Sequence, residues 1–226
     1  MYRVLFCECG KDLASDECLG FFPTDLAKEL KDAPDKTKKE RVGAYALLSF
    51  AIDKYFGKRL SDLVLKKSEG GKPYLLTREG APVKIYFNIS HSNGFAALIV
   101  GDEGEVGIDI EGEVEARRAE RLAERYAEFL PESEGIEHSL SFEPEALIMS
   151  DGGLPCPDCE PIVYEVKSPL SFEARWTLLE ACLKCDGGGF GSVKSARDLY
   201  SELETGAKII ISKNKKISIS IAKCKQ

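Results

Sequence analysis

Three strand candidates follow one another with only short polar turns between them, at residues 84–90, 95–100 and 106–111. The intervening segments, SNG and GDEG, have the residue types of tight turns. Patterns typical of helices interrupt the strands at residues 37–56, 115–129 and 171–185. Strands that are mostly neighbours in the sequence, with helices between them, predict an α+β fold.

Charge and hydropathy exclude two classes of partner. The net charge of −7 argues against a nucleic-acid-binding protein, because phosphate contacts need a basic face. The first residues lack the basic start and apolar core of a signal peptide. The longest apolar stretch, residues 95–100, is too short to cross a bilayer. We therefore expect a soluble, cytoplasmic protein with no nucleic-acid or membrane partner.

The segment GIDIE at residues 107–111 places two carboxylates on one face of a strand candidate. Residues two apart in a strand point to the same side, so Asp109 and Glu111 project together, and Ile108 and Ile110 face the core. Adjacent carboxylates repel each other unless a cation or a proton relieves them, and Mg²⁺ prefers such oxygen ligands. Acidic residues on an exposed strand face are also common without a metal, so this segment alone leaves both interpretations open.

Four residues spaced by four form a stripe along the helix candidate at residues 171–185. The stripe has an aromatic half, Phe172 and Trp176, and an ionic half, Glu180 and Lys184. An ordinary amphipathic helix with a Glu–Lys pair shows the same spacing. Combined with the acidic strand, however, Glu180 would supply a third carboxylate and Lys184 a cation for anionic substrate oxygens.

Two further segments carry polar groups at the end of a strand or in a turn. FNISHS at residues 87–92 contains His91, one of two histidines, where a strand runs into a polar turn. Ligands are often held at such positions, although a lone histidine there is most often a structural hydrogen-bonding residue. GGKPY at residues 70–74 places Lys72 in a glycine-flanked turn. Neither segment is a P-loop, because GxxxxGK[ST] is absent.

The order of these four segments resembles that of the 4′-phosphopantetheinyl transferases, in particular the larger, surfactin-synthase-activating type. The family pattern runs GKP, N-[IL]-SHS, G-[IV]-D-[IV]-E and W-x-x-K-E-A-x-x-K. This chain has GKP, NISHS, GIDIE and WTLLEACLK between residues 71 and 184. Each segment is weakly specific alone, but four in the same order make a specific match. With the chain length and the N-terminal strand–helix arrangement, the resemblance extends to the whole chain.

The resemblance implies two similar α+β lobes related by a pseudo-twofold axis, with the site in the cleft between them. Residues 1–102 would form the N-terminal lobe and residues 103–226 the C-terminal lobe, with an irregular insertion around residues 131–170. Because such a chain is already a pseudo-dimer, we expect a monomer.

The implied activity is that of a holo-[acyl-carrier-protein] synthase. It transfers 4′-phosphopantetheine from coenzyme A to a serine of an apo acyl or peptidyl carrier protein and releases adenosine 3′,5′-bisphosphate. By this resemblance, Asp109, Glu111 and Glu180 are the Mg²⁺ ligands, and Asp109, Glu180 and Lys184 act in catalysis. The base that takes the serine proton is left open between Glu180 and a metal-bound water.

The resemblance also assigns residues to coenzyme A, the second substrate. The expected contacts are Lys72 and Pro73 on the adenine side, Ser90 and His91 on the phosphates, Arg41 on the 3′-phosphate, and Lys184. Lys28 and Lys31 are weaker candidates for the 3′-phosphate. Carrier proteins are usually acidic, as this chain is, so a local basic and apolar patch must bring the two together.

The chain departs from the family pattern at two places. Leu179 stands where the family has a lysine, which removes one cation from the expected phosphate surroundings. Its side chain would pack either against the lobe interior or at the rim where the carrier docks. The stretch between Glu111 and Trp176 is also longer than expected, and we place the surplus in residues 131–170.

Two other functions remain open from the sequence. Cys156-x-x-Cys159 and Cys182-x-x-Cys185 have nearly the spacing of a zinc ribbon, which would make the chain a zinc-binding interaction module. Against this, the second pair lies inside a helix candidate, whereas a ribbon knuckle needs a turn. The second alternative is a relative that binds coenzyme A or a carrier protein without catalysis, and only Leu179 suggests it.

Overall fold

A computed structural model of the chain describes residues 1–10, 19–132, 139–149, 155–156, 162–166, 169–189, 196–212 and 215–225. Helices and strands alternate irregularly along the chain, which confirms the predicted α+β class. The chain divides into two compact units. The first contains Met1–Glu103 and Pro144–Glu160, and the second contains Gly104–Glu143 and Pro161–Gln226. Each unit therefore includes part of the segment around residues 131–170.

The elements are, in chain order, β1 (Tyr2–Glu8), α1 (Thr24–Lys31), α2 (Asp35–Phe56), a 3₁₀ turn (Leu60–Asp62), β2 (Val64–Lys67), β3 (Pro73–Leu76), β4 (Tyr86–Ser92), β5 (Phe95–Gly101), β6 (Val106–Glu111), α3 (Ala116–Arg125), β7 (Pro144–Met149), β8 (Pro155–Cys156), β9 (Ile162–Glu165), α4 (Phe172–Asp186), α5 (Ala196–Ser201), β10 (Leu203–Ser212) and β11 (Lys215–Cys224). Within the described residues, none of the helices combines the length and the apolar character needed to cross a membrane.

The first unit is built on a sheet with the strand order β4-β5-β1-β7-β8. Its pairs are antiparallel except β1 and β7, which are parallel. Helix α2 packs on β5, β4 and β1 through a buried face that includes Val42, Tyr45, Leu48 and Ile52. It ends at Gly57, whose φ of 60° is the left-handed conformation that glycine adopts most easily. These apolar residues recur mostly at helical spacing in the sequence, and a glycine after them is a typical helix stop signal, so the pattern at residues 37–56 indicates both the face and the end.

The second unit is built on an antiparallel sheet with the strand order β6-β11-β10-β9. Helix α4 packs on β6 and β11. It begins after Ser171, whose hydroxyl oxygen accepts a hydrogen bond from the Ala174 amide at 3.4 Å, and it ends at Gly187 with a φ of 82°. The predicted helix at residues 171–185 thus lies within one residue of the observed one at each end.

Three parts of the chain differ from the elements that the sequence predicts. Helix α3 ends at Arg125 rather than at residue 129, and the chain then turns back on Tyr126, whose carbonyl accepts from the amides of Phe129 and Leu130. Helices α1 and α5 were not predicted. Strands β7, β8 and β9 lie in the segment that the sequence marks as irregular, because its prolines hide any strand period.

Candidate functional site

Asp109 and Glu111 lie on the face of β6 that packs against helix α4. A Cβ atom placed on Gly107 would lie 1.9 Å from a backbone carbonyl oxygen of α4, so this face of the strand meets the helix. Residues two apart share a face, which puts Asp109 and Glu111 on the same side as Gly107. Ile108 and Ile110 are buried on the opposite face. The alternation is the one that the sequence predicts.

Lys184 of α4 forms an ion pair with Asp109. Its Nζ donates a hydrogen bond to Asp109 Oδ1 at 2.6 Å, and Asp109 is only 6% exposed. A buried carboxylate needs such a partner, because charge loses its hydration on burial. In this structure Lys184, which the resemblance assigns to substrate oxygens, therefore binds Asp109, which the resemblance assigns to the metal.

Glu111 has a cation partner that the sequence analysis did not predict. The guanidinium nitrogen Nη2 of Arg118, in α3, lies 3.7 Å from Glu111 Oε2, and Arg118 is half exposed. Arg118 follows the acidic segment within one helical turn of the start of α3. The short sequence separation of Glu111 and Arg118 is the one signal in the sequence that could have indicated this ion pair.

Glu180 is the third carboxylate of this group, and it makes no hydrogen bond or ion pair with another residue in the described part of the chain. Its burial raises its pKa above the ordinary value, and the charges of Asp109 and Glu111 raise it further, while Lys184 lowers it. The three carboxylates are therefore close enough to repel one another. Such a group is relieved either by a proton on Glu180 or by an added cation.

The donor chemistry of these three residues fits a hard divalent cation, since Mg²⁺ prefers carboxylate oxygens. The arrangement is not that of a closed metal site. Among the residues that the structure describes, no three His, Cys, Asp or Glu side chains form a group that could hold a metal ion. Lys184 binds Asp109 Oδ1 and Arg118 lies 3.7 Å from Glu111 Oε2, so a metal ion would be bound in the presence of these two cations.

Lys72 and Pro73 belong to the hairpin of β2 and β3 in the first unit. Gly71 before them has a φ of 82°, which a residue with a side chain rarely adopts, and the Lys72 amide donates to Ser68 Oγ at 3.2 Å. Pro73 opens β3. The predicted glycine-flanked turn is present and holds the lysine backbone in one conformation.

Ser90 and His91 lie inside β4, and the polar turn begins only after Ser92. Ser90 is buried, and His91 is partly exposed. The Nδ1 atom of His91 lies 3.1 Å from Oε2 of Glu40, a residue of α2 that the sequence analysis did not single out. No sequence pattern could have indicated this contact, because it joins residues of two distant elements.

Arg41 follows Glu40 in α2 and is held by a different glutamate. Its Nη2 lies 2.6 Å from Oε1 of Glu29 in α1, and Lys67 Nζ in β2 lies 2.8 Å from the same oxygen. The two cations, Lys67 first and then Arg41, lower the pKa of Glu29. Lys67 thus joins the basic groups around Arg41, and no sequence pattern indicates this, because the two residues lie in different elements.

The candidate residues fall into two sets by compact unit. Asp109, Glu111, Glu180 and Lys184 are in the second unit, and Arg41, Lys72, Pro73, Ser90 and His91 are in the first. Leu179, which stands at the family's lysine position, is fully buried among apolar side chains of the second unit. Of the two placements considered for it, the structure shows the interior one.

The geometry of the second cysteine pair is unlike that of a zinc ribbon. Cys182 and Cys185 lie inside α4 and are buried, and burial raises the pKa of the Cys182 thiol, which disfavours the thiolate that binds zinc. The Cys185 thiol donates to the Glu105 carbonyl oxygen at 3.3 Å. Cys159 of the first pair lies outside the described residues.

A comparison of the chain with protein-family models finds no match, and a comparison with curated proteins finds no significant match. The functional interpretation therefore depends on the residues themselves and on their geometry.

Proposed function

We propose that this chain is a 4′-phosphopantetheinyl transferase, which moves 4′-phosphopantetheine from coenzyme A to a serine of an apo acyl or peptidyl carrier protein. The observation that carries the proposal is the meeting of two segments far apart in the sequence. The acidic pair of β6 and the Glu180–Lys184 half of the α4 stripe come together on one face of the second unit. In an ordinary amphipathic surface helix, Glu180 and Lys184 would face solvent and would not lie against buried carboxylates.

In this proposal Asp109, Glu111 and Glu180 would hold Mg²⁺. When bound, the ion neutralises charge on the phosphate oxygens as the phosphodiester bond breaks. Lys184 stabilises the same developing charge once it exchanges Asp109 for a phosphate oxygen. The ammonium group already lies at the carboxylate cluster, 2.6 Å from Asp109 Oδ1.

The serine hydroxyl of the carrier must lose a proton as it attacks the phosphorus atom. Glu180 is one candidate for the base that accepts it, because its carboxylate lies at the same cluster as Asp109 and Lys184. The products are the holo carrier protein and adenosine 3′,5′-bisphosphate.

The nucleotide end of coenzyme A is assigned to the first unit. Arg41 and His91 would bind phosphate, with Ser90 beside His91, and Lys72 and Pro73 would contact the adenine side. The two-lobed, pseudo-twofold arrangement, the monomeric state and the cytoplasmic location are parts of the same proposal.

Helix α3 offers a surface for an acidic carrier protein. Its arginines at positions 117, 121 and 125 recur every four residues, so they form one row on the helix. Arg117 and Arg121 are exposed, and neither forms an ion pair with any other described residue. Arg118 of the same helix binds Glu111, so the row lies beside the carboxylate cluster. A local basic row of this kind attracts acidic side chains even when the whole chain is negatively charged.

The proposal is tested by incubating the protein with coenzyme A, Mg²⁺ and purified apo carrier proteins of the acyl and the peptidyl type, and then measuring the mass of each carrier. We expect one carrier to gain a phosphopantetheine group, and Asp109→Ala to abolish that gain without unfolding the protein. A native protein that binds coenzyme A but adds nothing to either type of carrier would contradict catalysis and favour the non-catalytic relative.

A further inference from the structure

Glu40 is a partly buried glutamate of α2 that uses both carboxylate oxygens on the hairpin of β4 and β5. Oε2 lies 3.1 Å from His91 Nδ1, and Oε1 accepts a hydrogen bond from the Gly94 amide at 2.5 Å. The Glu40 side chain is 16% exposed and that of His91 is 31% exposed. One carboxylate therefore ties a helix to both the imidazole ring and the backbone of the neighbouring turn.

The turn that Glu40 binds is fixed on its other side as well. Asn93 and Gly94 connect β4 to β5 with φ values of 53° and 85°, so both residues are left-handed, as a tight hairpin turn requires. The Gly94 carbonyl oxygen accepts a hydrogen bond from the Cys9 amide at 2.7 Å. Both polar backbone groups of Gly94 are hydrogen-bonded, so the turn after β4 is fixed. The His91 ring is bound to the same carboxylate and is fixed relative to that turn.

The contact also determines which ring nitrogen of His91 carries a proton. An ionised carboxylate accepts hydrogen bonds and does not donate them, so Nδ1 carries the hydrogen and donates it in the hydrogen bond to Glu40 Oε2. Nε2 makes no hydrogen bond within the described part of the chain, and it remains the nitrogen that can meet a ligand. A phosphate there would place the ring between two anions, Glu40 and the ligand.

We infer that Glu40 is a positioning residue that aims Nε2 of His91 at a phosphate of coenzyme A and thereby favours the 3′-phosphorylated cofactor. The inference rests on the proposed function, which supplies the ligand, whereas the Glu40–His91–Gly94 contacts are properties of the protein alone. A purely structural Glu40 would stabilise the hairpin and would affect every ligand of the first unit alike.

The test compares the binding of coenzyme A and of 3′-dephospho-coenzyme A by calorimetry to the native protein, to Glu40→Gln and to Asp53→Asn. Glutamine keeps an oxygen for the Gly94 amide but loses the negative charge that orients the ring. We expect Glu40→Gln to weaken coenzyme A binding about tenfold, which is the size of one hydrogen bond to a charged group. Binding of 3′-dephospho-coenzyme A should change less than about twofold. Asp53→Asn, on an exposed position of the same helix, should change neither.

A second readout needs no ligand. The chain has only two histidines, so in His138→Gln protein the remaining imidazole signals in a ¹⁵N-resolved NMR spectrum belong to His91. We expect the Nδ1-protonated tautomer in that protein and a mixture of tautomers once Glu40→Gln is added. An unchanged tautomer would overturn the inference, and so would an equal loss of affinity for both cofactors. A native protein that binds neither cofactor would overturn the proposed function instead, even with the expected tautomer.

Discussion

At the scale of single residues, Glu180 makes the stability of the protein depend on pH. A carboxyl group whose pKa is raised on folding binds its proton more tightly in the folded state than in the unfolded state. Its contribution to stability is therefore full below the pKa of the unfolded carboxyl, and it is lost as the pH rises through the higher folded pKa. The loss comes from burial and from the like charges of Asp109 and Glu111.

Glu180→Gln removes this titration. In the absence of divalent cations, we expect the variant to unfold at a higher temperature than the native protein at neutral pH and to lose that advantage at acidic pH. Thermal unfolding with a chelator present, measured over a series of pH values, checks this. Parallel pH profiles for the two proteins would contradict the raised pKa of Glu180.

Leu179 gives a residue-scale prediction about the departure from the family pattern. Because Leu179 is 0% exposed, a lysine there would bury its amine among apolar side chains. We expect Leu179→Lys to lower the free energy of unfolding by about 3 kcal/mol, and Leu179→Met to lower it by about 1 kcal/mol. Urea denaturation measures both. A stable Leu179→Lys protein with faster carrier loading would mean that the helix can turn this position to the phosphate.

At the scale of elements, the contact between β6 and α4 depends on Gly107. A Cβ atom there would lie 1.9 Å from the Ala181 carbonyl oxygen and 2.6 Å from the Cys185 amide nitrogen. Both are backbone atoms, so no rotamer change can relieve the clash. We expect Gly107→Ala to cost about 3 kcal/mol of stability, measured by denaturant unfolding. Gly104→Ala is the matched control, because no atom lies within 4 Å of its Cβ position, and equal effects of the two would contradict the packing argument.

Helix α3 gives the second prediction at this scale. The double variant Arg117→Glu/Arg121→Glu should raise the KM for an acidic carrier protein about tenfold, because each change replaces attraction by repulsion. The KM for coenzyme A should stay the same. Lys58→Glu/Arg59→Glu makes the same change in net charge at an exposed site of the first unit and should leave both values unchanged. The effect on the carrier KM should shrink as salt is added. Equal effects of the two double variants would argue for net charge rather than docking.

At the scale of the whole molecule, the sequence predicts what local chemistry determines. The alternation in GIDIE and the helical patterns of α2 and α4 depend on neighbouring residues, so they are visible in the chain itself. The partners of the candidate residues are different. Glu40 with His91 and Arg118 with Glu111 meet only after distant elements have packed. The pairing of β7 with β1 is also set by packing, since the two strands lie far apart in the sequence.

The parallel pairing of β1 with β7 has a consequence for the order in which the protein can form. Residues 104–143 belong to the second unit, yet Val4 to Cys7 pair with Pro144 to Leu147. As the chain leaves the ribosome, residues 1–103 emerge first, but the sheet of the first unit is still incomplete at that stage because β7 has not yet been synthesised. One edge of β1 stays open until β7 arrives, and an open edge is a template for unwanted pairing with other chains. Folding of the first unit is therefore delayed until residues 104–143, which belong to the second unit, have been synthesised.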